Sequence, residues 1–141
     1  MINSIQNEAD IDSFVEAYHT AQGFHHRAEN FLQEGQANSV VFNVAAIALE
    51  NYLIALSNLH GVEPRNHNYI CLMDSIETFM IIPPLLSAEI RSLDVIFGIC
   101  SLENYQHGTP EEEDGKRVIR LCQKVQGLFD QHKISALKSK I

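Results

Sequence analysis

Lys116, Arg117, Arg120 and Lys124 place four cations within nine residues near the end of a 141-residue chain. Cations three or four positions apart share one face of a helix, and such a face can hold phosphate. The cluster stands out against the remainder of the sequence. Residues 1–115 carry three basic and seventeen acidic residues, a balance of −14, whereas residues 116–141 carry seven basic residues against Asp130 alone, a balance of +6. The formal net charge of −8 therefore averages an acidic body and a basic end. One reading is a solvated helix face whose cations complement the negative end of the helix dipole. The other is an electrostatic footprint for phosphate or nucleic acid.

Seven histidines and three cysteines are the other residues with chemistry in them. Ligands on one helix face need a spacing of three or four. His19 has no histidine partner at that spacing, His25 can pair with Glu29, and the adjacent His25 and His26 point about 100° apart on a helix. His60 and His67 flank a turn and meet only if the loop folds back. There is no HExxH pattern, and no metal is expected. His25 and His132 fall on apolar stripes, which suits a satisfied, partly buried imidazole. Cys71, Cys100 and Cys122 sit among apolar residues and read as small hydrophobes rather than nucleophiles. Neither GxGxxG nor GxxxxGK[ST] occurs, so no phosphate loop and no cofactor are expected.

The elements that would position these groups are helices. A stripe of Phe14, Tyr18, Ala21, His25, Ala28 and Leu32 predicts a first helix over roughly 8–33. Asn7, Asp10 or a Ser13–Glu16 capping box would start it, and Gly35 would stop it. A second helix runs from Asn38 or Ser39 to Gly61 on Val41, Val44, Ala45, Ala48, Tyr52, Ala55, Leu56 and Leu59. Val40, Ile47 and Ile54 widen that stripe, so this helix should be the most buried. A third covers about 67–80 with Ile70, Met73, Ile76 and Met80 inward, closed by Pro83–Pro84. A fourth spans about 87–103 on Ile90, Leu93, Ile96, Phe97 and Cys100. A fifth opens at Thr109–Pro110 with Glu112 completing a capping box, and continues on Val118, Leu121, Val125, Leu128, His132 and Ile134.

No repeat, low-complexity tract or long linker interrupts these segments. The chain reads as all-α, an up-and-down antiparallel bundle of four to five helices. One domain fills residues 1–141, with its core over about 8–133 and a short flexible tail over 134–141. With 45% apolar and 20% charged residues it is not a disordered composition. The apolar runs around 44–49 and 80–86 are far shorter than the ~20 residues of a membrane span. No signal-peptide pattern opens the chain, and three cysteines without CxxC spacing make no disulfide framework. A soluble, cytoplasmic protein with no membrane partner is expected.

Several short patterns, in order, resemble one family. Ala45-Ala46-Ile47-Ala48-Leu49-Glu50-Asn51-Tyr52-Leu53-Ile54-Ala55-Leu56 resembles the second-helix signature of HEPN domains (higher eukaryotes and prokaryotes nucleotide-binding). Gly61-Val62, Pro64 and His67 resemble the turn that follows, and Glu103-Asn104-Tyr105 with the acidic helix start resembles the approach to the family's last long helix. The similarity extends from about Phe14 to Phe129. It implies a helical bundle, often a homodimer, belonging to ribonucleases, to partners of small nucleotidyltransferases in toxin–antitoxin or defence systems, or to non-catalytic modules that bind nucleotide or RNA.

The nuclease members carry an Arg followed, after four to six residues, by His. None of the five arginines here reaches a histidine at that spacing. His107 stands where the motif's His would be, with Glu103 nearby instead of Arg, and Ile54 replaces a Lys common on the second helix. Both departures remove positive charge that would steady a reacting phosphate. The resemblance therefore implies binding rather than cleavage. Asn104, Tyr105 and His107 are the stacking or hydrogen-bonding candidates; Lys116, Arg117 and Arg120 are the phosphate contacts; Glu50 is an acid at a subunit contact. The alternatives are a metal-independent ribonuclease with a rearranged site, in which Arg27 or Arg91 approaches His107, and a purely structural dimeric interaction subunit.

Overall fold

A computed structural model describes residues 11–62, 68–94 and 111–129. Five helices are delimited among these residues: α1 (Ile11–Gln33), α2 (Asn38–Leu59), α3 (Tyr69–Ile76), α4 (Pro84–Arg91) and α5 (Glu112–Gln126). The fold is an all-α bundle, with no strand among the described residues.

α1, α2 and α5 form the body. Phe14, Ala21, His25 and Ala28 are buried on α1, as the stripe predicts; Ala17, outside that stripe, is buried with them, and Tyr18 and Leu32 are half-buried at the edge. The three-and-four spacing keeps these side chains in one row, and the small alanines admit α2 closely. Gly35 and Gly61 end α1 and α2 with φ of 73° and 71°. Each permits the same closing pattern, with Gln36 N donating to Phe31 O at 3.0 Å and Val62 N to Ser57 O at 2.9 Å. A side chain with a Cβ rarely adopts that left-handed backbone, so both stops are legible as glycines. The short link after Gly35 returns α2 antiparallel to α1. α5 then lies along α2, with Gly115 against Val41 and the Cys122 thiol donating to Ala45 O at 3.4 Å.

α2 is the central element, with twelve buried residues that include Leu49, Tyr52, Leu53 and Leu56. Each fully buried large side chain contributes about 1.5–3 kcal/mol of transfer free energy. Taken as a whole helix rather than as consecutive apolar residues, α2 has the length and hydropathy of a membrane span, and 56% of that window is buried in the bundle. Its periphery corrects the expectation that Val40 and Ile47 widen the buried stripe. Both are exposed, because α1 and α5 cover only part of its circumference.

α3 and α4 make a hairpin on the side of this body. α3 starts at Tyr69, two residues later than expected, because the Asn68 side chain caps it by accepting from Cys71 N at 2.8 Å. Its inward face is Tyr69, Leu72, Met73 and Ile76; Ile70, expected inside, is exposed. Tyr69 fixes this rotation by donating its hydroxyl to Ala46 O at 2.8 Å. Pro83–Pro84 does not merely close the third segment. Pro84 occupies the first turn of α4, where its missing N–H costs nothing. α4 ends at Arg91, a turn follows at Ser92, and helical backbone resumes at Leu93–Asp94. Asp94 then reaches back to α3, accepting from Tyr69 N at 2.9 Å and Ile70 N at 2.8 Å.

Two further caps differ from expectation. Ser13 lies inside α1 and is not its cap. α5 is capped at Glu111, and Asp114 rather than Glu112 reaches back, accepting from Glu111 N at 2.8 Å. Acids at either spacing suit the positive end of the helix, which is why the sequence allows both registers. Asn7, Asp10, His67, Ile96, Phe97, Cys100, Thr109, Pro110, His132, Ile134 and the tail over 134–141 lie outside the described residues.

Candidate functional site

The cations of α5 share its outer face, opposite Val118, Leu121, Cys122 and Val125, which are buried. Their surroundings differ residue by residue. Lys116 Nζ lies 2.7 Å from Glu112 Oε2 and 3.7 Å from Glu113 Oε1. That hydrogen bond raises the lysine pKa and lowers that of Glu112. Such exposed pairs are weakly held, so Lys116 can exchange an acid for another anion. Arg117 turns toward α4, with Nε 3.2 Å from Glu89 Oε2 and Nη2 donating to Ser92 Oγ at 3.1 Å. It fastens α5 to the end of α4. Arg120 and Lys124 are exposed, one and two turns beyond Lys116, with no ion pair among the described residues. The footprint thus reduces to Arg120 and Lys124, with Lys116 competed for by its own helix and Arg117 used as a strut.

Asn104, Tyr105 and His107 lie outside the described residues. Glu50 is half-buried on α2 and raises the pKa of the Tyr69 hydroxyl, after the larger effect of burial. It lies one helical turn beyond Ala46, whose carbonyl accepts the Tyr69 hydroxyl, so it stands on the side of α2 toward α3.

The arginines invoked for a rearranged nuclease site are occupied otherwise. Arg91 donates from Nη1 to Asp74 Oδ1 at 2.8 Å, from Nη2 to Glu77 Oε1 at 2.6 Å and from Nε to Ser87 Oγ at 3.1 Å. Ser87 in turn donates to Glu77 Oε2 at 2.6 Å. The Ser87 bond, with Arg91 after it, holds the Glu77 carboxyl below its ordinary pKa. This network pins α3 to α4. Arg27 lies 5.6 Å from the centre of the Phe24 ring, a cation–π contact on its own helix.

His25 is the buried imidazole that its place on the stripe predicts. Nδ1 lies 2.9 Å from the Tyr52 hydroxyl and Nε2 lies 3.6 Å from Glu29 Oε2. No group of three or more metal-ligating side chains occurs among the described residues. His60 stacks on Phe79 with ring centres 4.3 Å apart. Burial pushes the Cys122 thiol well above its ordinary pKa, which keeps it protonated and unreactive.

Sequence reasoning missed the struts. Arg117–Glu89, Arg91–Asp74–Glu77 and Asp94 on the α3 amides all join different elements. The partners are far apart in the chain and on separate elements, so no local spacing pointed to them. No family model, no curated protein and no solved structure matches this chain.

Proposed function

We propose that the chain is a HEPN-like helical bundle that acts by binding, and that its ligand is the phosphate of a nucleotide or RNA. The observation that carries this reading is the outer face of α5, where Arg120 and Lys124 stand exposed and unpaired among the described residues beside Lys116. Phosphate attracts such a face in proportion to the number of cations engaged, and the attraction weakens as salt competes. The acidic body around it would repel nucleic acid elsewhere and confine the contact to this edge. The reading extends to a cytoplasmic role in a toxin–antitoxin or defence-type system, with a small nucleotidyltransferase as a partner.

Fluorescence anisotropy with a labelled single-stranded RNA, from 50 to 200 mM salt, tests it. The Arg120→Ala/Lys124→Ala variant is expected to bind about tenfold or more weakly, with a salt slope shallower by about 1.4, since each lost phosphate contact removes about 0.7. Equal affinity and slope in the two proteins would refute the assignment. An RNA-cleavage assay on the same samples addresses the ribonuclease alternative, which predicts activity abolished by His107→Ala.

A second reading, a dimeric interaction subunit, rests on Ile81 and Leu85, which are 95% and 85% exposed beside the exposed Pro83 and Pro84. Large apolar side chains so fully in water favour a protein partner, here a second copy. Light scattering is expected to give twice the chain mass, falling to one chain mass in Ile81→Asp/Leu85→Asp. A monomer at all concentrations would remove this reading and leave the α5 reading untouched.

A further inference from the structure

The ring of His25 is buried, with about a tenth of the side chain still reached by solvent, yet only one of its nitrogens has a hydrogen-bond partner. Nδ1 lies 2.9 Å from the Tyr52 hydroxyl, while Nε2, also buried, has none and faces Glu29 Oε2 at 3.6 Å. Burial raises the Tyr52 pKa far enough to keep the phenol protonated, so its O–H needs an acceptor. Nδ1 is the acceptor in reach, which puts the neutral ring's proton on Nε2. The Glu29 carboxylate, itself half in solvent, is shared. Gln123 Nε2 on α5 donates to the same Oε2 over a long 3.5 Å. Three helices therefore meet through one imidazole, one phenol and one carboxylate.

We propose that His25, Tyr52 and Glu29 form a proton-operated latch at the junction of α1, α2 and α5. In the neutral state Tyr52 donates to Nδ1 and Glu29 rests between His25 and Gln123. A proton taken from solvent adds to Nδ1, and none is released, because Tyr52 and Glu29 keep their charge states. The ring is then a donor at both nitrogens. Tyr52 must turn its O–H away and accept, and Nε2–H presents a positive charge to Glu29. The carboxylate closes on the ring and gives up Gln123, so α1 loses a tie to α5 while its bond to α2 reverses.

The titratable groups that face the ring or its partners are Glu29, His26 and Tyr18 on α1, Tyr52 on α2 and Cys122 on α5. Burial lowers the His25 pKa most, Glu29 opposes it, and His26 lowers it further. The folded chain therefore binds fewer protons than the unfolded chain over the interval just below the ordinary value of about 6.5. Stability present above pH 6.5 is lost progressively as the pH falls through that interval.

The test is an NMR titration of the full nitrogen-15-labelled chain, following the imidazole nitrogens and the Gln123 side-chain amide. At pH 7.5 His25 is expected as the Nε2–H tautomer, and its midpoint is expected below 6.5, with the Gln123 amide moving at the same midpoint. In Glu29→Gln the His25 midpoint should fall further, by roughly 0.5–1 unit, and the Gln123 response should vanish. In Tyr52→Phe the tautomer preference should disappear. An Nδ1–H tautomer in the native chain, or a Gln123 amide that ignores the His25 titration, overturns the latch. Glu29 is half-exposed, so its variant tests the idea even if Tyr52→Phe folds poorly.

Discussion

Tyr52→Ala is expected to cost about 3–5 kcal/mol of folding stability, the range for deleting a large buried ring. Tyr52 is fully buried on α2 and makes aromatic contacts with three rings on two other segments of the body, two on α1 and one just past α5. Its ring centre lies 5.8 Å from that of Tyr18, 5.7 Å from His25 and 6.4 Å from Phe129, each in an edge-on geometry. Edge-to-face pairs add to the stability that burial alone supplies. The truncation also strands His25 Nδ1, a buried polar atom left without its partner. With a total stability of about 5–15 kcal/mol for a domain of this size, one such loss is a large fraction of the whole. Urea unfolding followed by circular dichroism measures it, with Ile47→Ala as the comparison on the exposed side of the same helix. That change should stay within about 0.5 kcal/mol. Similar midpoints for the two variants would contradict the central placement of Tyr52.

The same helix shows how much the sequence could disclose. The stripes of α1 and α5 are amphipathic, so the rows Phe14, Ala21, His25, Ala28 and Val118, Leu121, Val125 follow from spacing alone, while the flanking Ala17, Ile119 and Cys122 are buried by the neighbouring helices. α2 is apolar nearly all round, and periodicity then cannot distinguish the covered Val41 and Phe42 from the uncovered Val40 and Ile47. α3 poses the same difficulty in eight residues. Tyr69-Ile70-Cys71-Leu72-Met73 offers two apolar faces, and the choice is made by a bond from Tyr69 to Ala46, 23 residues away. Proline is ambiguous in another way. It cannot continue a helix but it can begin one, so Pro83–Pro84 reads as a stop while Pro84 serves as a start. For the candidate site, the cluster of cations was visible in the sequence because it is local. The acids that engage it were visible only where they share α5, as Glu112 and Glu113 do. Glu89 and Ser92, which bind Arg117, come from another element, and their approach is a product of packing rather than of any nearby pattern.

Gly115 seats α5 directly on Val41 of α2, and Gly115→Ala is expected to destabilise the chain by about 1–2 kcal/mol. Helix propensity alone argues the opposite, since alanine favours a helix interior over glycine by about 1 kcal/mol. The added Cβ, however, would stand 2.9 Å from Val41 Cγ1 and 3.4 Å from Val41 Cβ. Val41 is buried and β-branched, so it cannot swing aside within one rotamer, and α5 must lift from α2 instead. Two residues further on is Arg117, whose contacts with Glu89 and Ser92 depend on that seating. A double-mutant cycle with Val41→Ala separates the two terms. Once Cγ1 is gone the clash goes with it, and Gly115→Ala should become neutral or stabilising as its helix preference takes over. The expected coupling is about 1–3 kcal/mol with a change of sign. Simple additivity of the two substitutions in urea unfolding would mean that α5 does not close on α2 at this point, and that Arg117 is held against α4 by something other than the fit of Gly115 on Val41.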